Sequence, residues 1–312
     1  MRHSTTFLMS LIVASILVLM FLNLVLGSVS IPLKSVWNII CGLGDEPVTW
    51  QNIVWKSRLP QALTALVAGA GLAISGLQMQ TVFRNPLAGP SVLGISSGAS
   101  MGVAFVVLLS GSLGGVALSK LGVMGEIALS IAAVIGSLSV MALIVYVSQK
   151  VIGNVTLLII GVMIGYVANA VIGVLKFFSV EEDIRAYVIW GLGSFSRVSG
   201  NQMMLFVAIM AILIPLSFLL IKTLNLMLLG DGYARNLGLN IKRARLLVIT
   251  SAGVLTAIVT AYCGPVIFLG LAVPHLCRAI FQTSDHRVLM PAVLFAGAAL
   301  ALVCNLIGRS IP

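Results

Sequence analysis

The stretch LPQALTALVAGAGLAISGLQMQTVF, residues 59–83, contains no Asp, Glu, Lys or Arg. A helix needs about 20 apolar residues to cross ~30 Å of hydrocarbon, and this window is long enough. The windows 3–33, 85–119, 127–149, 151–175, 198–221, 246–277 and 288–308 are equally free of charge. Gly264-Pro265 interrupts the 246–277 window, which therefore holds one crossing and the start of another. Nine crossings are predicted, at 7–26, 60–79, 91–110, 127–148, 154–176, 202–221, 244–262, 265–281 and 288–307. The fold class is an all-α polytopic membrane bundle, read as one transmembrane domain over 1–312.

Composition agrees with this reading. Hydrophobic residues make up 60% of the chain and charged residues 8%, against roughly 25% charged in a soluble domain; the mean hydropathy is +1.15. The first crossing is longer than a signal-peptide core and no A-x-A site follows it, so it is expected to be retained. With the N-terminus inside, the inner side carries a net +8 and the outer side +2. Lys222, Arg235, Lys242, Arg243 and Arg245 fall in one inner connection, which fixes the orientation. The outer side receives Trp37, Trp50, Trp55 and Trp190 as interfacial indoles. The net +10 reflects topology and contact with anionic lipid rather than nucleic-acid binding.

Several chemistries are excluded. No lysine follows a glycine, so the phosphate cradle G-x-x-x-x-G-K-[ST] is missing and no nucleotide cofactor is expected on this chain. The crossings carry essentially no carboxylates, and the three histidines are placed outside or near helix ends, so no proton relay is visible. There is no H-E-x-x-H and no metal-ligand spacing; Cys41, Cys263, Cys277 and Cys304 are read as free thiols, a single outer disulfide being the alternative. If the protein pumps, a partner supplies the energy.

Small residues recur every fourth position in Ala65-Gly69-Ala73, Gly94-Gly98-Gly102 and Gly161-Gly165-Asn169-Gly173. The first two stripes suit close helix packing. Asn169 puts an amide in mid-membrane, where it either bonds a neighbouring helix or faces a wet route. Ser96, Ser97, Gly98 and Ser100 give a small, polar helix face suited to a translocation pathway. The loop Arg84-Asn85-Pro86-Leu87-Ala88-Gly89-Pro90 is stiffer than a turn requires, which suits a gate. On the inner side, Asp231 to Leu239 is predicted as a short helix, started by Gly230-Asp231 and ended near Gly238. On the outer side, Glu181-Glu182-Asp183 starts an interfacial helix over 181–191 with Ile184, Tyr187, Val188 and Gly191 on one side.

Three groups of residues, in order along the chain, resemble the iron-siderophore and cobalamin permease family of ABC importers. They are Arg58-Leu59-Pro60 with Arg84-Asn85-Pro86-Leu87-Ala88 and Leu93-Gly94; Gly230-Asp231 with Ala234-Arg235-Asn236-Leu237-Gly238; and Gly264 through His275 with Arg278 and Asp285-His286-Arg287. The resemblance implies a type II importer permease in the bacterial inner membrane: a homodimer with a cytoplasmic ABC ATPase that uses the ATP and a periplasmic or lipoprotein substrate-binding protein. It implies an inner gate at Asn85 and Leu87, and ATPase coupling through Gly230, Asp231, Ala234, Arg235, Leu237 and Gly238. It also implies binding-protein docking at Arg58 and Arg309. There are departures. Gln61 stands where relatives carry a second arginine, which weakens docking. Gly232 replaces a larger residue and predicts a later helix start. The family's tenth crossing has no counterpart in residues 1–312.

The implied function is import of a ferric siderophore, haem or cobalamin. An ABC permease for inorganic metal ions, disfavoured by the scarcity of His and acidic residues in the crossings, and a secondary carrier or channel are the alternatives. An intramembrane enzyme is disfavoured by the absence of a nucleophile–base pair.

Overall fold

The computed structural model describes residues 2–44, 46–112, 123–151, 153–198 and 200–310; Asp45 and Lys120, two of the charges that sum to the outer +2, lie outside them. Every regular element among these residues is helical. In chain order they are α1 Arg2–Val25, α2 Leu33–Cys41, α3 Val48–Ile53, a π-helical turn Val54–Arg58, α4 Leu59–Phe83, a 3₁₀ turn Pro90–Leu93 and α5 Ile95–Ser112. Then follow α6 Val123–Lys150, α7 Asn154–Phe177, α8 Glu181–Gly191, a 3₁₀ turn Phe195–Arg197, α9 Gly200–Phe218, α10 Ile221–Leu228, α11 Asp231–Asn236, α12 Ile241–Cys263, α13 Leu269–Phe281 and α14 His286–Ser310. Among the described residues, seven helices are long and apolar enough to cross a membrane: α1, the α3–α4 run, α6, α7, α9, α12 and α14. The shorter apolar helices α5 and α13 take the third and eighth places.

Three boundaries differ from the sequence reading. The third crossing begins at Ile95, because 90–93 forms a 3₁₀ turn closed by Gly94 at φ 74°. The sixth ends at Phe218, and Ile221 opens the separate helix α10. The eighth reads as a short crossing over 265–281 that carries Pro274, and α13 is shorter still at 13 residues, about 20 Å at 1.5 Å per residue. Residues 264–268 complete that crossing as irregular backbone, with the Cys263 carbonyl accepting from the Ser194 amide at 2.7 Å. Such backbone is tolerated at membrane depth only where protein or a wet cavity satisfies it.

The core sits around α4, whose residues from Ala68 to Phe83 are all buried. Its small residues let partners come to backbone distance. A Cβ at Gly69 would overlap the Gly297 carbonyl of α14, and one at Gly76 would overlap the Gly270 carbonyl of α13. Polar side chains join the same helix to α12: Ser75 Oγ donates to the Ala252 carbonyl at 2.8 Å, and Gln78 Nε2 to Ser251 Oγ at 3.1 Å. Interhelical bonds of this kind contribute about 0.6 kcal/mol each in a bilayer. In α1, Asn23 Nδ2 donates to the Leu302 carbonyl of α14 at 3.1 Å and Asn23 Oδ1 accepts from Asn305 at 2.8 Å.

The interfacial helix α8 spans the residues expected of it. Asp183, Tyr187 and Trp190 face inward while Val188 is exposed. Trp190 is therefore a buried ring stacked near Tyr187, not an indole at the lipid surface. His275 lies in mid-α13 and is exposed, which departs from the expected placement, whereas His286 sits at the start of α14 as expected and is fully buried there. All four cysteines are free.

Candidate translocation and coupling site

The inner end of α4 stops at Arg84, which takes a left-handed conformation at φ 49°. Helices usually place glycine there, because a Cβ makes that conformation costly. The Arg84 guanidinium bonds Asp231, the first residue of α11, and reaches the Met227 carbonyl at 3.3 Å. Asn85 folds the loop on itself: its Oδ1 accepts from the Leu87 amide at 2.9 Å and its carbonyl from the Ala88 amide at 3.1 Å. Leu87 is left 69% exposed at the tip. An apolar tip on a self-bonded turn can block a route without needing a partner inside its own chain.

In the 222–245 connection, α11 starts at Asp231 despite Gly232, so the later start expected from that glycine does not occur. The helix ends at Asn236, earlier than the expected Leu239; the Gly238 and Leu239 amides close it onto the Arg235 and Ala234 carbonyls at 2.9 and 3.0 Å. Gly230 and Gly238 both hold positive φ, 98° and 86°, at its two ends. Ala234 is buried against the bundle, whereas Tyr233, Arg235 and Leu237 face outward.

The residues predicted to line a route separate into distinct places. Ser97 and Asn169 meet in a cleft of about 190 Å³ between the 3₁₀ turn, α5 and α7, with Ser91, Gly94, Gly165 and Tyr166. Asn169 is exposed on α7, beside the equally exposed Tyr166 and Val167. Ser96 instead faces Thr260 of α12 at 3.4 Å. Gly98 packs on Gly136 and Val140 of α6 and has no access to the cleft. Ser100 hydrogen-bonds Tyr187 of α8, whose phenol is nevertheless raised above its usual pKa by burial. Burial, then the neighbouring Glu182, raise the Asp183 carboxyl on the same helix, and burial lowers Arg197 beyond it.

At the outer end the two arginines expected to dock a binding protein turn inward. Arg58 is 1% exposed. Its Nη1 donates to the Leu24 and Val25 carbonyls at 2.8 and 2.7 Å, and its Nη2 to the Val29 carbonyl. Arg309 Nη1 donates to the Asn23 carbonyl at 3.2 Å. Both cations thus sit on the C-terminal carbonyls of α1, where the helix dipole favours positive charge. Arg309 also borders an outer cavity of about 610 Å³ between Gln61, the 192–196 loop, residues 265–269 and the end of α14.

A polar cluster that the sequence reading did not single out ties the inner ends together. His286 Nε2 lies 2.8 Å from Thr81 Oγ1, and His286 Nδ1 lies 2.8 Å from Asn225 Oδ1. Asn225 Nδ2 donates to Asp285 at 2.7 Å, and Arg278 bonds Gln80. Hydrogen bonds from the Arg287 amide and from Asn225 hold the Asp285 carboxyl below its ordinary pKa. Among the described residues, no three His, Cys, Asp or Glu side chains converge as metal ligands.

The FecCD transport family matches residues 15–312. The chain belongs to that family. It is 35% identical over 260 residues to the vitamin B12 import system permease protein BtuC of Klebsiella pneumoniae subsp. pneumoniae, covering 83% of this chain and 75% of that protein. It is 33% identical over 288 residues to the hemin transport system permease protein HmuU of Yersinia pestis, covering 92% of this chain and 82% of that protein. A solved structure described as an inward-facing conformation of a metal-chelate type ABC transporter matches at TM-score 0.83 and 26% identity, over 98% of this chain and 91% of that one.

Within this FecCD chain, the signal for the inner cluster was present in Asp285-His286-Arg287, which carried the resemblance, but nothing local linked it to Asn225 or Thr81. Those contacts depend on which helices meet.

Proposed function

We propose that this chain is the membrane-spanning permease of an ATP-driven importer that carries an iron chelate, haem or cobalamin across the bacterial inner membrane, ATP being hydrolysed by a separate subunit. The family match over 15–312, with relatives named for vitamin B12 and hemin import, carries this reading. The chain's own chemistry agrees: apolar crossings with no phosphate cradle need an external motor. An ATPase and a substrate-binding protein complete such a system.

The finer assignments rest on geometry. The outward side of α11, with Tyr233, Arg235 and Leu237, is the surface offered to the ATPase. Leu87 and the Asn85 turn form the inner gate. Ser97 and Asn169 border the route, because an amide left open on α7 at mid-membrane needs water or a second chain. A second copy against the apolar face of α7 supplies the other wall of the pathway. Arg309 remains a docking residue beside the outer cavity; Arg58, spent on three carbonyls, serves the fold instead.

Reconstitution with the ATPase and a loaded binding protein tests the reading. ATP turnover is expected to change when all three components are present. Turnover indifferent to this chain and to the loaded binding protein, with intact partners, contradicts it.

A further inference from the structure

We propose that Arg84, Asp231 and Arg245 form an ionic strut that passes movement of the ATPase-facing helix α11 to the gate loop, an inference that rests on the importer reading above. Asp231 opens α11, but its carboxylate is directed into the chain. One oxygen bonds Arg84 at the end of α4, and the other lies 3.6 Å from Arg245 Nη2 in the second turn of α12. Arg245 is largely enclosed, its side chain 12% exposed, whereas those of Arg84 and Asp231 are 42% and 41% exposed. The acid therefore joins an enclosed arginine on one spanning helix to a half-open arginine at the end of another.

α11 has two working sides. Tyr233, Arg235 and Leu237 point away from the bundle, and Asp231 points into it. On the other side of the ion pair, Arg84 is the residue directly before the Asn85 turn that carries Leu87. The left-handed backbone at Arg84 gives independent support. A side chain there costs about 1–2 kcal/mol relative to glycine, and the side chain that stands there is the one whose head group reaches Asp231. An ion pair open to water is weak, typically about 0.2–1 kcal/mol. That strength is too small to hold the fold and suits a link that must shift in each cycle. Without Asp231, Arg84 and Arg245 would face one another as like charges, so the acid sets the position of both.

The test uses the full chain with its ATPase and binding protein in proteoliposomes, with Leu87→Cys as reporter after Cys41 and Cys304 are replaced by serine. Maleimide labelling at position 87 is read without nucleotide and after trapping with ATP and vanadate. In the otherwise unchanged chain the labelling rate is expected to differ between the two states. R84Q and R245Q are expected to capture the ATPase as before yet lose most of that difference, by about fivefold. D231N loses it as well, while R84K and D231E retain it, which separates a charge link from general loosening. A nucleotide response in R84Q and D231N equal to the parent overturns the strut. Loss of ATPase capture in R84Q also overturns it, since the arginine would then be part of the docking surface. A parent chain that shows no nucleotide response overturns the importer reading itself, and the strut with it.

Discussion

The two ends of α4 each carry an arginine, and the arginines do opposite things. Arg58 at the outer end is sealed, 1% exposed, and gives its donors to three backbone carbonyls, two in the last turn of α1 and one just beyond it. Arg84 at the inner end is 42% exposed and holds an acid on a short surface helix. The residue type is the same, but the partners differ: fixed carbonyls of the bundle at one end, a carboxylate on a connecting segment at the other. A central helix held fast outside and lightly tied inside suits a machine driven from its inner face.

The sharpest way to break this contrast is Arg58→Ala. It leaves three carbonyls without a donor, and each buried carbonyl left unsatisfied costs about 1–3 kcal/mol. A large fall in thermal stability in detergent is expected, with Arg58→Lys intermediate. A stable Arg58→Ala chain that fails only in binding-protein capture would return Arg58 to the docking surface. Next in size is Gly76→Val, in the middle of α4. Overpacking against the Gly270 carbonyl is expected to cost about 1–3 kcal/mol, read by the same melt; an unchanged melting temperature would show that the contact with α13 is loose.

Arg235→Glu tests the inner face without touching the core. Stability should stay within about 0.5 kcal/mol of the parent, as for exposed substitutions generally, while ATPase capture falls. Capture at full strength would remove Arg235 from the docking surface. The smallest effect concerns acid. Asp285 is held below its ordinary pKa by the Arg287 amide and Asn225. Its contribution is therefore present above the unfolded carboxylate pKa and is lost as pH falls through the lower folded value. Asp285→Asn should flatten the low-pH slope of stability slightly, leaving the outer end unaffected. An acid slope identical to that of the parent would show that the Asp285 bonds do not count.

Much of this was legible in the sequence because membrane thickness and charge avoidance leave long marks. The windows around α4, α6, α7, α12 and α14 needed only a count of apolar residues, and the acids at 181–183 marked the start of α8. The tight turn after Arg84 and the helix α11 were legible through local motifs. Arg58 was not, because a lone arginine beside a crossing reads as exposed, and its carbonyl partners lie some thirty positions earlier, as with Leu24 and Val29. The eighth crossing already reads as short, 265–281 with Pro274 inside it, but its irregular start was hidden for a related reason: an apolar run can cross partly as irregular backbone if a neighbouring loop satisfies it, here Ser194. Gly98 misled because small residues serve both close packing and a smooth pore wall, and only the position of α6 decides between them.

Uptake into sealed vesicles goes most directly to the centre of the account. Vesicles holding this chain, a loaded binding protein outside and the ATPase with ATP inside should accumulate the iron chelate, haem or cobalamin that the binding protein carries, and should stop when the ATPase is omitted. Accumulation by the chain alone, with no nucleotide hydrolase present, would contradict it.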